Sequence, residues 1–253
     1  MKFSYEDLIS GDDIFVDGIG HFRSPFLWEL KPTQGIGIEK YYLYINILSW
    51  EKEEFVKFLK STTGRNYDKL LNEKLNVFDV VKLITGTRKL LQEAIAFFIR
   101  EDVFWNEQTR TFKTHSAETH EQIGKIDRDN FEDVKNAILQ MNYVGIGKSA
   151  KPAEFSSEKA RLLWEKAQEY LKLEAKKKSE NKDLRLGNII SKLSAVSINY
   201  NLLNIYNLTV FQLYDQFFQY GYLRAMDLSE AVYSNHGGDK FNMQDWLKTI
   251  FKF

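Results

Sequence analysis

No cysteine occurs in the 253 residues, which excludes a disulfide framework and any thiolate metal site and suits a reducing compartment. With four histidines and no cysteine, a zinc site would have to be built from His, Asp and Glu alone. Net charge is missing too. Thirty-five Lys plus Arg balance 35 Asp plus Glu, so no whole-chain field draws the protein toward nucleic acid or an anionic membrane. The opening MKFSYEDLISGDD carries acidic residues where a signal peptide needs a basic start and an apolar centre, so export by that route is not expected. The longest charge-free run, 193–214, is long enough to span a bilayer, but Asn199, Asn201, Asn204 and Asn207 interrupt it. Each amide would need a partner in lipid, and a membrane span is not expected.

Catalytic and cofactor motifs are also lacking. The stretch NYVGIGKSAKPAEF holds Gly-Lys-Ser, but Asn142 stands where a phosphate loop needs its first glycine, and Pro152 interrupts the helix that should follow. Gly145 and Gly147 read instead as a helix stop followed by a linker. His115, Glu118, His120 and Glu121 fall within seven residues, but their spacing matches no recognised zinc pattern, and a polar loop is expected. His21 and His236 look isolated. With no Gly-x-Ser-x-Gly elbow and no thiol nucleophile, no catalytic, cofactor-binding or metal residue is assigned, and a non-enzymatic protein is expected.

Aromatic residues are abundant, at 15%. Over the first fifty residues, Gly18, Gly20, Gly35 and Gly37 punctuate short β-branched and aromatic runs, which predicts one or two hairpins and then a helix near Glu39. Apolar residues three and four apart in WEKEEFVKFLKS and TRKLLQEAIAFFIRE predict helices, and DVFWNEQTRTFKTH predicts a hairpin turning near Asn106. Asp129 with Glu132 resembles a capping box for a helix in which Phe131, Val134, Ile138 and Met141 share a face. A further helix is expected from Ser156 or Ser157, ending in the lysine-rich segment 172–182. The last seventy residues read as helices, with Thr209 and Gln212 capping one and Asn242 and Asp245 capping another.

The fold class that follows is α+β, mainly α: a glycine-punctuated hairpin region at the N-terminus, a helical body and a helical C-terminal unit. The corresponding divisions are an α+β part over 1–150, a long helix or linker over 151–183, and a helical unit over 184–253. In the helix after Thr209, Gln212, Asp215, Gln216 and Gln219 make a narrow polar stripe. Aromatic residues occupy much of the remaining surface. Two readings stand: a helix buried on several sides, or an aromatic face for a partner. On the second, Phe211, Tyr214, Phe217, Phe218 and Trp246 are the partner-binding candidates.

The order EKARLLWEKAQEYLKLEAKKK, LGNIISKLSAVSINYNLLNIYNLTVFQLYDQFFQ and NHGGDKFNMQDWLKTIF resembles the closing part of tail-assembly chaperone-type proteins. These are encoded in the tail-gene clusters of long-tailed phages of Gram-positive bacteria. DGIGHFRSPFLWEL and KIDRDNFEDVKNAILQMN fit the same resemblance. It implies a non-enzymatic assembly factor in the host cytoplasm that binds the tape-measure protein or tail-tube subunits; no cofactor is expected, and a homo-oligomer is left open. The alternatives are a structural tail component, or a nucleic-acid-associated or regulatory phage protein using 172–182.

Overall fold

The computed structural model describes residues 1–71, 74–83, 85–144 and 185–236. It is mainly α-helical with small antiparallel sheets. The chain divides into two compact units: Met1–Val144 with Asn207–Gln212, and Gly145–Tyr206 with Leu213–Phe253.

The first unit opens with α1 (Tyr5–Ser10), a helix the sequence reading did not anticipate. The Ser4 side chain accepts from the Asp7 backbone N–H and the Asp7 side chain answers to Ser4 N–H, while Gly11 closes the helix in the left-handed region at φ 77°. These are the start and stop signals of a short helix. Strands β1 (Ile14–Val16) and β2 (Gly20–Phe22) form the expected hairpin. The helices α2 (Ile38–Ser49), α3 (Lys52–Thr63), α4 (Val77–Val81) and α5 (Thr85–Phe98) follow. A three-stranded antiparallel sheet comes next: β3 (Asp102–Asn106), β4 (Thr111–His115) and β5 (Gln122–Ile126), in that spatial order. Helix α6 (Phe131–Met141) completes this part.

Burial follows the periodicities. In α6, Phe131, Val134, Ile138 and Met141 are all buried, as the three-and-four spacing requires. Phe78 of α4 packs against Phe112 of β4 and Phe131 of α6, with ring centroids 6.1 and 5.3 Å away. Tyr41 and Phe98 join α2 to α5 at 6.2 Å. Each such side chain withdrawn from water contributes roughly 1.5–3 kcal/mol before entropy is counted.

The β1–β2 turn lies directly on the sheet. Gly18 O accepts from Lys125 N–H at 3.0 Å, and Ile19 O accepts from the buried Thr114 hydroxyl at 2.6 Å. Gly124 makes this approach possible, since a Cβ there would collide with Gly18 O.

Two local expectations need correction. Asp129 does not cap α6. Asn130 precedes the helix; its Oδ1 accepts from Asp127 N–H and its Nδ2 donates to Lys125 O, while Glu132 pairs with Lys135 at 2.8 Å. An asparagine turn between β5 and α6 has taken the place of the capping box. The helix stop is not glycine either. Tyr143 adopts φ 62°, its N–H reaching Gln140 O and that of Val144 reaching Leu139 O, so a Schellman motif ends α6 before Gly145 and Gly147, which lie outside the described residues. The polar segment after His115 is a loop, as expected, and it leads into β5, a strand the sequence reading missed.

In the second unit, α7 (Leu186–Val196) buries Leu186, Ile189, Ile190 and Leu193 along one side. Helix α8 (Val210–His236) begins in the first unit and continues through the second. The expected helix from Ser156 or Ser157, the 172–182 segment and the Asn242–Asp245 cap lie outside the described residues.

Candidate interaction surface

The start of α8 is held by short-range and long-range bonds within the first unit. Thr209 and Gln212 form the expected capping box: Gln212 Oε1 accepts from Thr209 N–H at 3.0 Å, and Thr209 Oγ1 accepts from Gln212 N–H at 3.2 Å. The Gln212 amide also donates to Ile9 O, covering the end of α1. Val210 N–H donates to Pro25 O, and Leu27 N–H to Leu208 O.

Phe211, one of the five candidate partner residues, is therefore a core residue of the first unit. Its ring is fully buried between Tyr5 and Tyr143, at 6.4 and 5.3 Å, and its N–H donates to Ser24 Oγ. The polar stripe is not a solvent face, because Asp215 is buried as well. Tyr214, Phe217 and Phe218 are half-buried; Tyr214 and Phe218 stack at 6.5 Å, and Phe217 meets Phe218 edge-on at 5.6 Å. Trp246 lies outside the described residues.

The most exposed apolar side chains are elsewhere, in the segment after α7. Ile198 is 102% exposed, Leu203 92%, Leu202 62% and Val196 45%. Four of the twelve large apolar side chains exposed among the described residues thus fall within 196–203. Single exposed leucines are ordinary; several within one short segment make it the candidate contact surface.

Polar side chains hold this loop in shape. Ser197 N–H donates to Leu193 O to end α7, and Ser197 Oγ accepts from Asn199 and Tyr200 N–H, each at 3.2 Å. Asn201 Oδ1 accepts from Leu203 and Asn204 N–H; Asn204 Oδ1 accepts from Asn201 N–H at 2.8 Å, and its Nδ2 donates to Asn199 O. Ile205, fully buried, anchors the far end. The amides thus serve the loop's own backbone, and the apolar side chains between them face solvent. Sequence reasoning used these asparagines only as an argument against a membrane span. The signal it passed over is Ser and Asn two or three residues apart, bracketing Ile and Leu-Leu.

The histidine-rich segment does not converge. His115 Nδ1 meets His120 O at 3.0 Å, Glu118 and Glu121 are exposed, and His120 takes a turn conformation at φ 58°. Among the described residues no group of three or more His, Asp and Glu comes together. His21, by contrast, is not isolated. Its Nδ1 lies 2.7 Å from Oε1 of buried Glu101, whose Oε2 accepts from His21 N–H at 2.8 Å. The two are eighty residues apart, so no local motif announces the pair. It fastens β2 to the end of α5, and only glycine fits at position 20, where a Cβ would strike the Glu101 carboxylate.

Residues 176–251 match a family model described as the YomV second domain. This match indicates a phage-derived domain family for the C-terminal part of the chain. It includes both the 196–203 loop and α8. No curated protein and no solved structure matches the chain. Among the described residues, no helix is long and apolar enough to cross a membrane.

Proposed function

We propose that the chain is a non-enzymatic assembly factor of phage tails, a chaperone or adaptor acting in the host cytoplasm. Its C-terminal part binds the tape-measure protein or tail-tube subunits while the tail is built. The observation that carries this reading is the phage-derived domain match over 176–251, a span that also holds the largest cluster of exposed apolar residues described. Binding another protein accounts for that exposure, because such a cluster left in water costs solubility without helping the fold.

Co-expression of the full chain with the tape-measure protein or the tail-tube subunit from the same gene cluster tests it. A complex that survives affinity capture and size exclusion, and that raises the soluble yield of the tail protein, is expected. Failure to associate with either protein overturns the reading.

A further inference from the structure

We propose that the loop over 196–204 is the docking element: a preformed, hydrogen-bonded loop whose Ile198, Leu202 and Leu203 enter an uncharged apolar groove on a partner protein. This rests on the assembly-factor reading and names the surface through which it works.

Three features of the loop select that occupant. Shape comes first. Ser197, Asn201 and Asn204 bond the loop's own backbone at 2.8–3.3 Å, so the backbone is ordered before any partner arrives. Binding then costs little ordering entropy, which favours a preformed element entering a ready groove.

Charge comes second. The run 193–214 contains no Lys, Arg, Asp or Glu. Phosphate-rich partners are bound by cationic side chains and anionic bilayers by basic residues beside the inserted apolar ones, and the run supplies none. A groove lined by charge would also be left with desolvated, unpaired groups. An uncharged apolar groove is the complementary surface.

Exposure comes third. Ile198 and Leu203, at 102% and 92%, have no packing role among the described residues. Leu193 and Ile205, which flank the loop, are buried. Among the described residues both ends of the loop are thus anchored and its middle is exposed. The half-buried Tyr214 and Phe218 stack on each other, and Phe211 is core. The loop and not the aromatic stripe is therefore the principal contact.

The test uses the full chain co-expressed with the tape-measure protein or the tail-tube subunit, as wild type, as Ile198→Ser/Leu203→Ser and as Leu203→Gln. Melting, self-association by size exclusion and flotation with vesicles of mixed neutral and anionic lipid are measured on each. The expected result is capture of a tail protein by the wild type that falls at least about tenfold in the double variant and several-fold in Leu203→Gln, with melting unchanged. Equal capture by all three overturns the loop as docking element and leaves the assembly-factor reading standing. Wild-type capture of neither protein overturns both. A wild-type dimer that the variants dissolve names a second copy as occupant, and vesicle binding lost in the variants names a bilayer; either overturns the proposal. Early melting of Leu203→Gln shows the loop covered by its own chain and overturns it as well.

Discussion

The two units use the same polar chemistry for opposite ends. In the first, amides close the core across long stretches of sequence. Gln140 bonds both Phe3 N–H and Phe3 O, and the Tyr41 hydroxyl donates to buried Asn142. In the second, Asn201 and Asn204 bond neighbours within a few residues and hold a loop open. The exposed apolar side chains differ in the same way. Those described in the first unit, Phe15, Trp28, Leu43, Leu71, Leu83 and Phe104, are scattered, whereas Val196, Ile198, Leu202 and Leu203 are consecutive or nearly so. An amide that bonds far along the chain removes apolar surface from water; one that bonds locally keeps it in place.

The comparison can be broken most forcefully at Phe211. Phe211→Ala removes a fully buried ring from between Tyr5 and Tyr143 and is expected to cost about 3–5 kcal/mol, read by chemical denaturation. A loss under 1 kcal/mol would mean that the ring is not core and that the first unit closes without it.

Gly124→Ala comes next. Its Cβ meets Gly18 O, so either the β1–β2 turn lifts from the sheet or the strand shifts. A loss of about 1–3 kcal/mol is expected from overpacking, together with faster hydrogen exchange at the Lys125 amide. Unchanged exchange would show that the turn is not held there.

Acid should destabilise the first unit through two of its carboxylates. Burial pushes the Asp79 pKa up, but the hydrogen bond from Lys82, the Asn76 N–H and the charges of Lys82 and Arg128 outweigh it, and the net shift is downward. Asp127 is also held low, chiefly by its hydrogen bond with Lys125. Because these folded-state values lie below the unfolded ones, their stabilisation is fully present above about pH 4 and is lost as pH falls through the folded pKa. Tryptophan fluorescence during acid titration should therefore show a transition below about pH 4. Asp79→Asn is expected to be less stable at neutral pH and to show a weaker acid dependence. An identical acid slope would remove Asp79 from the account.

The smallest effect is expected at the loop. Leu203→Gln should change stability by no more than about 0.5 kcal/mol, as for a site exposed among the described residues. Paired with Phe211→Ala, it measures the difference between an apolar residue that the fold needs and one that it leaves free.

The sequence by itself determined what depends on neighbours in the chain. Hydrophobic spacing placed α3, α5 and the buried face of α6. Turn residues placed the β1–β2 and β3–β4 hairpins, and Thr209 with Gln212 announced the start of α8. These features rest on 3.6- and 2-residue periods and on side chains reaching backbone within a turn, so a local reading suffices. Only the tertiary structure decided which apolar and polar groups are covered. Phe211 and Tyr214 are equally aromatic in sequence, yet one is fully buried between rings brought from Tyr5 and Tyr143 and the other is half-buried. The pairing of His21 with Glu101 and the space that requires Gly124 likewise arise from segments distant in the chain. Exposure of Ile198 and Leu203 belongs to the same class, because burial is a property of what surrounds a residue and periodicity records only which way it could point.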